Sequence, residues 1–151
     1  MIKKLFFLLI CILILSCNTI KEQRNIDGNW YTTSPKKFDN HTIDYTEIFI
    51  KNDTVHICSE YLLRMSPRKM ILKKDSLFFH SKIDSNFIGK ILKQTKKSFD
   101  LGKNNKHKKT YYKLENSKNL ERLIYGDITE KEYYLEFNKR KNSIYKKLKT
   151  Q

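Results

Sequence analysis

His56 and Cys58 stand one residue apart in Thr54-Val55-His56-Ile57-Cys58, so on a β-strand both side chains leave the same face. With Glu47 opposite Cys58 on a paired strand, three side chains of the types that bind zinc would meet. The other histidines, His41, His80 and His107, have no defined spacing from them, and the trio reads as an ordinary solvent-facing surface without a metal. Nucleophilic catalysis has less to work with. The chain contains no Gly-x-Ser-x-Gly and no cysteine–histidine pair in a recognisable context. Its 4 glycines (Gly28, Gly89, Gly102, Gly126) are too scattered for a phosphate-binding loop. No catalytic residue is assigned, and a non-enzymatic protein without a cofactor is expected.

The elements that would position these residues come from a repeat. Lys51-Asn52-Asp53-Thr54-Val55-His56-Ile57 returns as Lys73-Lys74-Asp75-Ser76-Leu77-Phe78-Phe79, and more weakly as Thr95-Lys96-Lys97-Ser98-Phe99-Asp100-Leu101, at 22-residue intervals. Each copy sets a polar pair between β-branched or aromatic runs, the pattern of a tight hairpin. Turns at Asn52-Asp53, Lys74-Asp75 and Lys96-Lys97 would pair Ile50 with Val55, Ile48 with Ile57, Leu72 with Leu77 and Met70 with Phe79. The third would pair Gln94 with Phe99 and Leu92 with Leu101. A register slip by one residue would scatter these apolar side chains over both faces. They are therefore expected on one buried face. Adding strands at Gly28–Thr33 and Lys108–Leu114 makes a mainly β, eight-stranded antiparallel meander or small barrel over residues 26–115. Closure would remove the exposed edges of an open sheet.

Residues 117–149 change to a helical period. Leu120, Leu123 and Ile124 suggest a short helix stopped at Gly126. Thr129 and Glu132 form a capping box, with Ile128 and Tyr133 as its hydrophobic staple, and Tyr133, Phe137, Ile144 and Leu148 follow on one face. The expected role of this helical hairpin is a plug or buttress on the barrel, with partner binding as the alternative.

At the other end of the chain, Met1-Ile2-Lys3-Lys4 is a cationic start, and Leu5 to Leu15 is an apolar run too short for a bilayer. Residues 1–16 read as a secretory signal that does not fold with the rest. Ile14-Leu15-Ser16-Cys17 resembles the lipobox of bacterial lipoproteins. That resemblance implies cleavage before Cys17, lipidation of its sulfur and anchoring to a membrane of the cell envelope, with residues 17–25 as tether. Without Lys3 and Lys4 the formal charge falls from +15 to +13. The basic residues are mostly lysine, with arginine only at positions 24, 64, 68, 122 and 140, so the bidentate forks that favour nucleic-acid recognition are scarce. This lysine-rich charge reads first as a solvated basic surface; attraction to an anionic lipid surface is the second expectation, and nucleic acid is not expected. Cys58 is left without a disulfide partner once Cys11 is discarded and Cys17 is lipidated.

Gly28-Asn29-Trp30 in the first strand, the eight-strand meander and the terminal helices together resemble the bacterial lipocalin-like proteins, many of them lipoproteins of Bacteroidota-type bacteria. The resemblance covers most of the chain after Cys17. It implies that Trp30 closes one barrel end, and that the domain carries a small apolar or amphipathic ligand. Lipocalins stack an arginine from the last strand on that tryptophan, and His107 to Glu115 contains none. Trp30, Met70, Phe79, Gln94 and Phe99 are the residues expected at a ligand cavity or barrel plug. The competing expectation is a filled barrel whose basic surface meets a protein or anionic lipid in the envelope.

Overall fold

The computed structural model of the protein describes residues 24–35, 43–60, 63–80 and 84–150. The signal segment, Cys17 and the tether as far as residue 23 lie outside the described residues. Nine strand segments are present among the described residues: β1 (Gly28–Pro35), β2 (Ile43–Lys51), β3 (Thr54–Ser59), β4 (Leu63–Arg64), β5 (Arg68–Lys73), β6 (Ser76–His80), β7 (Ser85–Gln94), β8 (Ser98–Asn104) and β9 (His107–Lys113). β4 and β5 occupy one place in the wall. β4 pairs with Cys58 and Ser59, β5 pairs with Thr54 and Val55, and Pro67, which has no N–H to give to a ladder, lies in the break. Every strand is antiparallel to its neighbours, and β1 pairs with both β2 and β9, so the sheet closes into an eight-stranded barrel.

Two expected hairpins hold residue for residue: Ile48 faces Ile57, Ile50 faces Val55, Met70 faces Phe79 and Leu72 faces Leu77. Asn52 (φ 47°) and Asp53 (φ 57°) are both left-handed, which matches the twist of the strands they join. Lys74 takes φ 56° in the second turn. In the third, the Thr95 hydroxyl accepts from the N–H groups of Lys97 (3.2 Å) and Ser98 (3.0 Å). Gln94 faces Phe99 as expected, but Leu92 does not face Leu101. A bulge at Leu92 brings Ile91 opposite Leu101, and Ile91 fills the core position instead.

The interior is packed by Ile26, Trp30, Ile48, Ile50, Val55, Met70, Leu77, Ile91, Phe99 and Leu101. A second core lies outside the barrel. There α1 (Leu120–Ile124) and α2 (Glu130–Lys149) cover the outer face of β2 and β3, and Leu120, Leu123, Tyr133 and Phe137 pack on Tyr45, Phe49 and Cys58. The Thr129–Glu132 capping box forms, Asn119 caps α1, and Gly126 (φ 77°) ends it. The helices are a buttress. Leu148, expected on the buried face, is exposed because the last turns of α2 reach past the sheet.

Candidate functional site

The two barrel ends differ. The three turns of the 22-residue repeat lie at one end, together with the start of β1, and this end is shut, while the tight turn at Asn105-Lys106 lies at the other. Residues 24–27 cross it as a strap. Arg24 pairs with Asp75 (3.0 Å) and donates to the Ile91 carbonyl, and Gln94 Nε2 donates to the Asn25 carbonyl at 2.6 Å. Ile26 drops into the core, and its carbonyl accepts from Trp30 Nε1 at 2.8 Å. Gln94, expected at a barrel end or facing a ligand, holds the strap here. Trp30 is 3 % exposed and meets Phe99 edge-on at 4.9 Å, while Phe99 stacks on Tyr111 at 4.7 Å.

The missing arginine has a substitute. Lys113, at the end of β9, sets its ammonium 4.4 Å from the centre of the Trp30 ring and also donates to the Asp27 carbonyl (3.2 Å). A cation over an indole contributes about 0.5–2 kcal/mol, more as water is excluded. Gly28 makes this possible. It sits at φ 119°, and a Cβ there would occupy the space of the Lys113 ammonium. Asn29, between them, faces outward: its amide oxygen accepts from the Glu121 N–H (3.2 Å) and its Nδ2 donates to the Glu121 carboxylate (2.8 Å). The tripeptide thus closes the barrel on one side and holds α1 on the other.

Among the described residues, the opposite end is open on the side of β5, β6 and β7. A cavity of about 940 Å³ lies there, lined by Pro67, Arg68, Lys69, Phe79, His80, Asn86 and Ile88. Arg68 and Phe79 share the inward face with Met70, and the Arg68 guanidinium stands 5.6 Å from the Phe79 ring centre. A mouth with apolar walls and cations at its rim suits an amphiphile with an anionic head. Two further polar atoms occupy the interior toward this end, on β1 and β2. Thr32 and Asp44 share the inward alternation of Trp30 and Ile48, and Thr32 Oγ1 and Asp44 Oδ1 are buried without a hydrogen-bond partner among the described residues. Such atoms are uncommon in a native interior, and a bound polar group or water satisfies them. Of the residues expected at a cavity, Phe79 lines it, while Trp30, Met70 and Phe99 belong to the packed half.

The His56–Cys58–Glu47 trio corrects the surface expectation. It does face away from the barrel interior, but the helices cover that face, and Glu47 and Cys58 are both 0 % exposed. Arg140 from α2 reaches Glu47 with a two-pronged pair, Nε at 2.7 Å and Nη2 at 3.0 Å. The Tyr45 and Tyr133 hydroxyls donate to the same carboxylate at 2.7 and 2.9 Å. Burial, reinforced by the Glu47 charge, pushes both phenols far above their ordinary range, so they keep the protons that they donate to the carboxylate. Burial also pushes the Cys58 thiol up, beside the Tyr133 and Tyr134 hydroxyls, which leaves it a poor nucleophile. Burial and the Arg64 charge lower the His56 pKa, and its ring stacks on Phe49 at 5.9 Å. Among the described residues no three histidine, cysteine or acidic side chains come together to hold a metal. This cluster is a latch between sheet and helix.

The fold therefore defines a small closed antiparallel β-barrel with a helical buttress, sealed at one end and cavitied at the other. No protein-family model, curated protein or solved structure matches the chain.

Proposed function

We propose that this protein is a cell-envelope lipoprotein, anchored through acylated Cys17, whose lipocalin-like barrel binds a small amphipathic ligand and performs no catalysis. The observation that carries the reading is the cavity of about 940 Å³ at the open mouth, within the ~300–1,000 Å³ range of small-molecule sites. In the binding mode that fits it, an apolar tail lies along Phe79 and Ile88, and an anionic head meets Arg68 and Lys69. The cavity favours this reading over a barrel filled throughout.

Mass spectrometry of lipid extracts from the protein purified from its own cells tests both halves together, through the acyl mass on Cys17 and any copurified amphiphile. Cys17→Ser is expected to abolish acylation and shift the protein out of the acyl-anchored membrane fraction; an acylated mutant would sink the anchor. For the mouth, Arg68→Glu is expected to weaken binding of a fluorescent anionic amphiphile by about tenfold, the effect of losing roughly 1.4 kcal/mol. Arg68 is exposed, so the melting temperature should barely move. Equal probe binding by both proteins would place the ligand elsewhere.

A further inference from the structure

We propose that the sealed hairpin end of the barrel is a membrane-docking surface that rests on anionic lipid headgroups, leaving the open mouth directed away from the bilayer. The orientation half of this inference rests on the Cys17 anchor; the surface itself stands on charge and topology. Lys51, Lys73, Lys74, Lys96 and Lys97 flank or form the three hairpin turns, and all five are exposed. They come from strands far apart in sequence, and barrel closure gathers them at one end. Asp75, the acid in the second turn, is already engaged by Arg24. Asp27, Asp53, Glu115 and Glu121 are the other acids near this end, and the five lysines outnumber them.

The path of the chain makes the same point. Arg24, the first described residue, is tied down at the hairpin end by Asp75 and the Ile91 carbonyl. Arg24 is seven residue steps along the chain from Cys17, and an extended chain covers at most about 3.6 Å per step, roughly 25 Å in all. β2, with 9 residues, is itself about 30 Å long. An anchor at Cys17 therefore keeps the hairpin end close to the bilayer, and turning the mouth downward would demand a nearly straight tether alongside the barrel wall. Lysines held within a Debye length of an anionic surface are attracted to it with little dependence on lipid identity. The occupant is thus a lipid surface, and the shallow cleft of about 320 Å³ beside the strap, lined by Arg24, Asn52, Asp53 and Met70 among others, is not needed for it.

The test uses the acylated protein reconstituted into vesicles with nitroxide-labelled headgroups. A fluorophore is placed through Asn52→Cys at a hairpin turn or Asn105→Cys at the opposite end, the buried Cys58 staying unlabelled. With phosphatidylglycerol present, the Asn52 site is expected to be quenched and the Asn105 site not. Replacing the five lysines by glutamine, or adding salt, should release the Asn52 site. Equal quenching at both sites, or quenching unaffected by the glutamine replacements, overturns the proposal. If the mass spectrum shows no acyl chain, the anchor reading fails separately. The unacylated protein is then sedimented with the same vesicles. Binding weakened more than about tenfold by the glutamine replacements supports the surface, and unchanged binding overturns it.

Discussion

Trp30→Ala is expected to leave the barrel unfolded or to lower its melting temperature sharply. Truncating a buried aromatic of this size costs about 3–5 kcal/mol, against a total domain stability of about 5–15 kcal/mol. At this site several contacts fail together. The indole meets Phe99 edge-on, receives the Lys113 ammonium on its face and holds the strap through the Ile26 carbonyl. Without the ring, Lys113 keeps its charge beside an apolar void and Ile26 loses the donor that fixes it. No disulfide among the described residues limits the damage. Denaturant unfolding provides the measurement, and because Trp30 is the only tryptophan its own emission reports the native state. Native emission should be blue-shifted and resistant to quenchers. Red-shifted, readily quenched emission from the folded protein would contradict the closed end.

Arg140→Ala should be nearly as damaging, for a different reason. Glu47 is 0 % exposed, and its carboxylate depends on the Arg140 fork together with the Tyr45 and Tyr133 hydroxyls. Removing one partner from a buried ion pair costs about 3–5 kcal/mol, because the remaining charge is stranded out of water. Replacing both partners, with Glu47→Gln and Arg140→Met, should cost less than the single change. The thiol of Cys58 supplies a local readout. It lies beneath α2, so an aqueous thiol reagent should react slowly with the parent protein and quickly with Arg140→Ala. If the single and double replacements lose equal stability, the pair is not coupled as the distances indicate.

Much of the barrel is legible in the sequence because turn chemistry and strand alternation act locally. Asn52-Asp53 tolerates the left-handed backbone of the tight turn, and the apolar residues on either side then fall on one face whatever the rest of the chain does. Leu92 shows where this logic stops. A bulge adds one residue without disturbing the apolar composition, so Ile91 and Leu92 could not be told apart by alternation alone. The outer face of β2 departs from the rule that a sheet has one buried side. Tyr45 and Phe49 flank Glu47 at alternate positions on that face, and two aromatics around a carboxylate are a poor solvent surface. Together with the apolar stripe on α2 they were the available signal. Lys113 illustrates a third case: the position beside Trp30 asks for a cation, and a search for arginine overlooks a lysine that Gly28 makes room for. The mouth was the least legible, since its cavity depends on where the wall of β5, β6 and β7 parts from the packed core.

The latch between Glu47 and Arg140 joins residues 93 positions apart, and the Tyr133 hydroxyl reaches the same carboxylate across 86. Neighbouring strands can pair as soon as each hairpin is made, but β1 must wait for β9, and the outer face of β2 must wait for α2. A chain folding from its N-terminal side therefore carries an incomplete wall and an unpaired Glu47 carboxylate until β9 and α2 have been made. A chain without residues 130–149 keeps every hairpin turn yet lacks Arg140, the cation that pairs with buried Glu47. Loss of the α2 segment should thus yield chains that are recognised as unfinished and degraded, a quality check written into the order of synthesis.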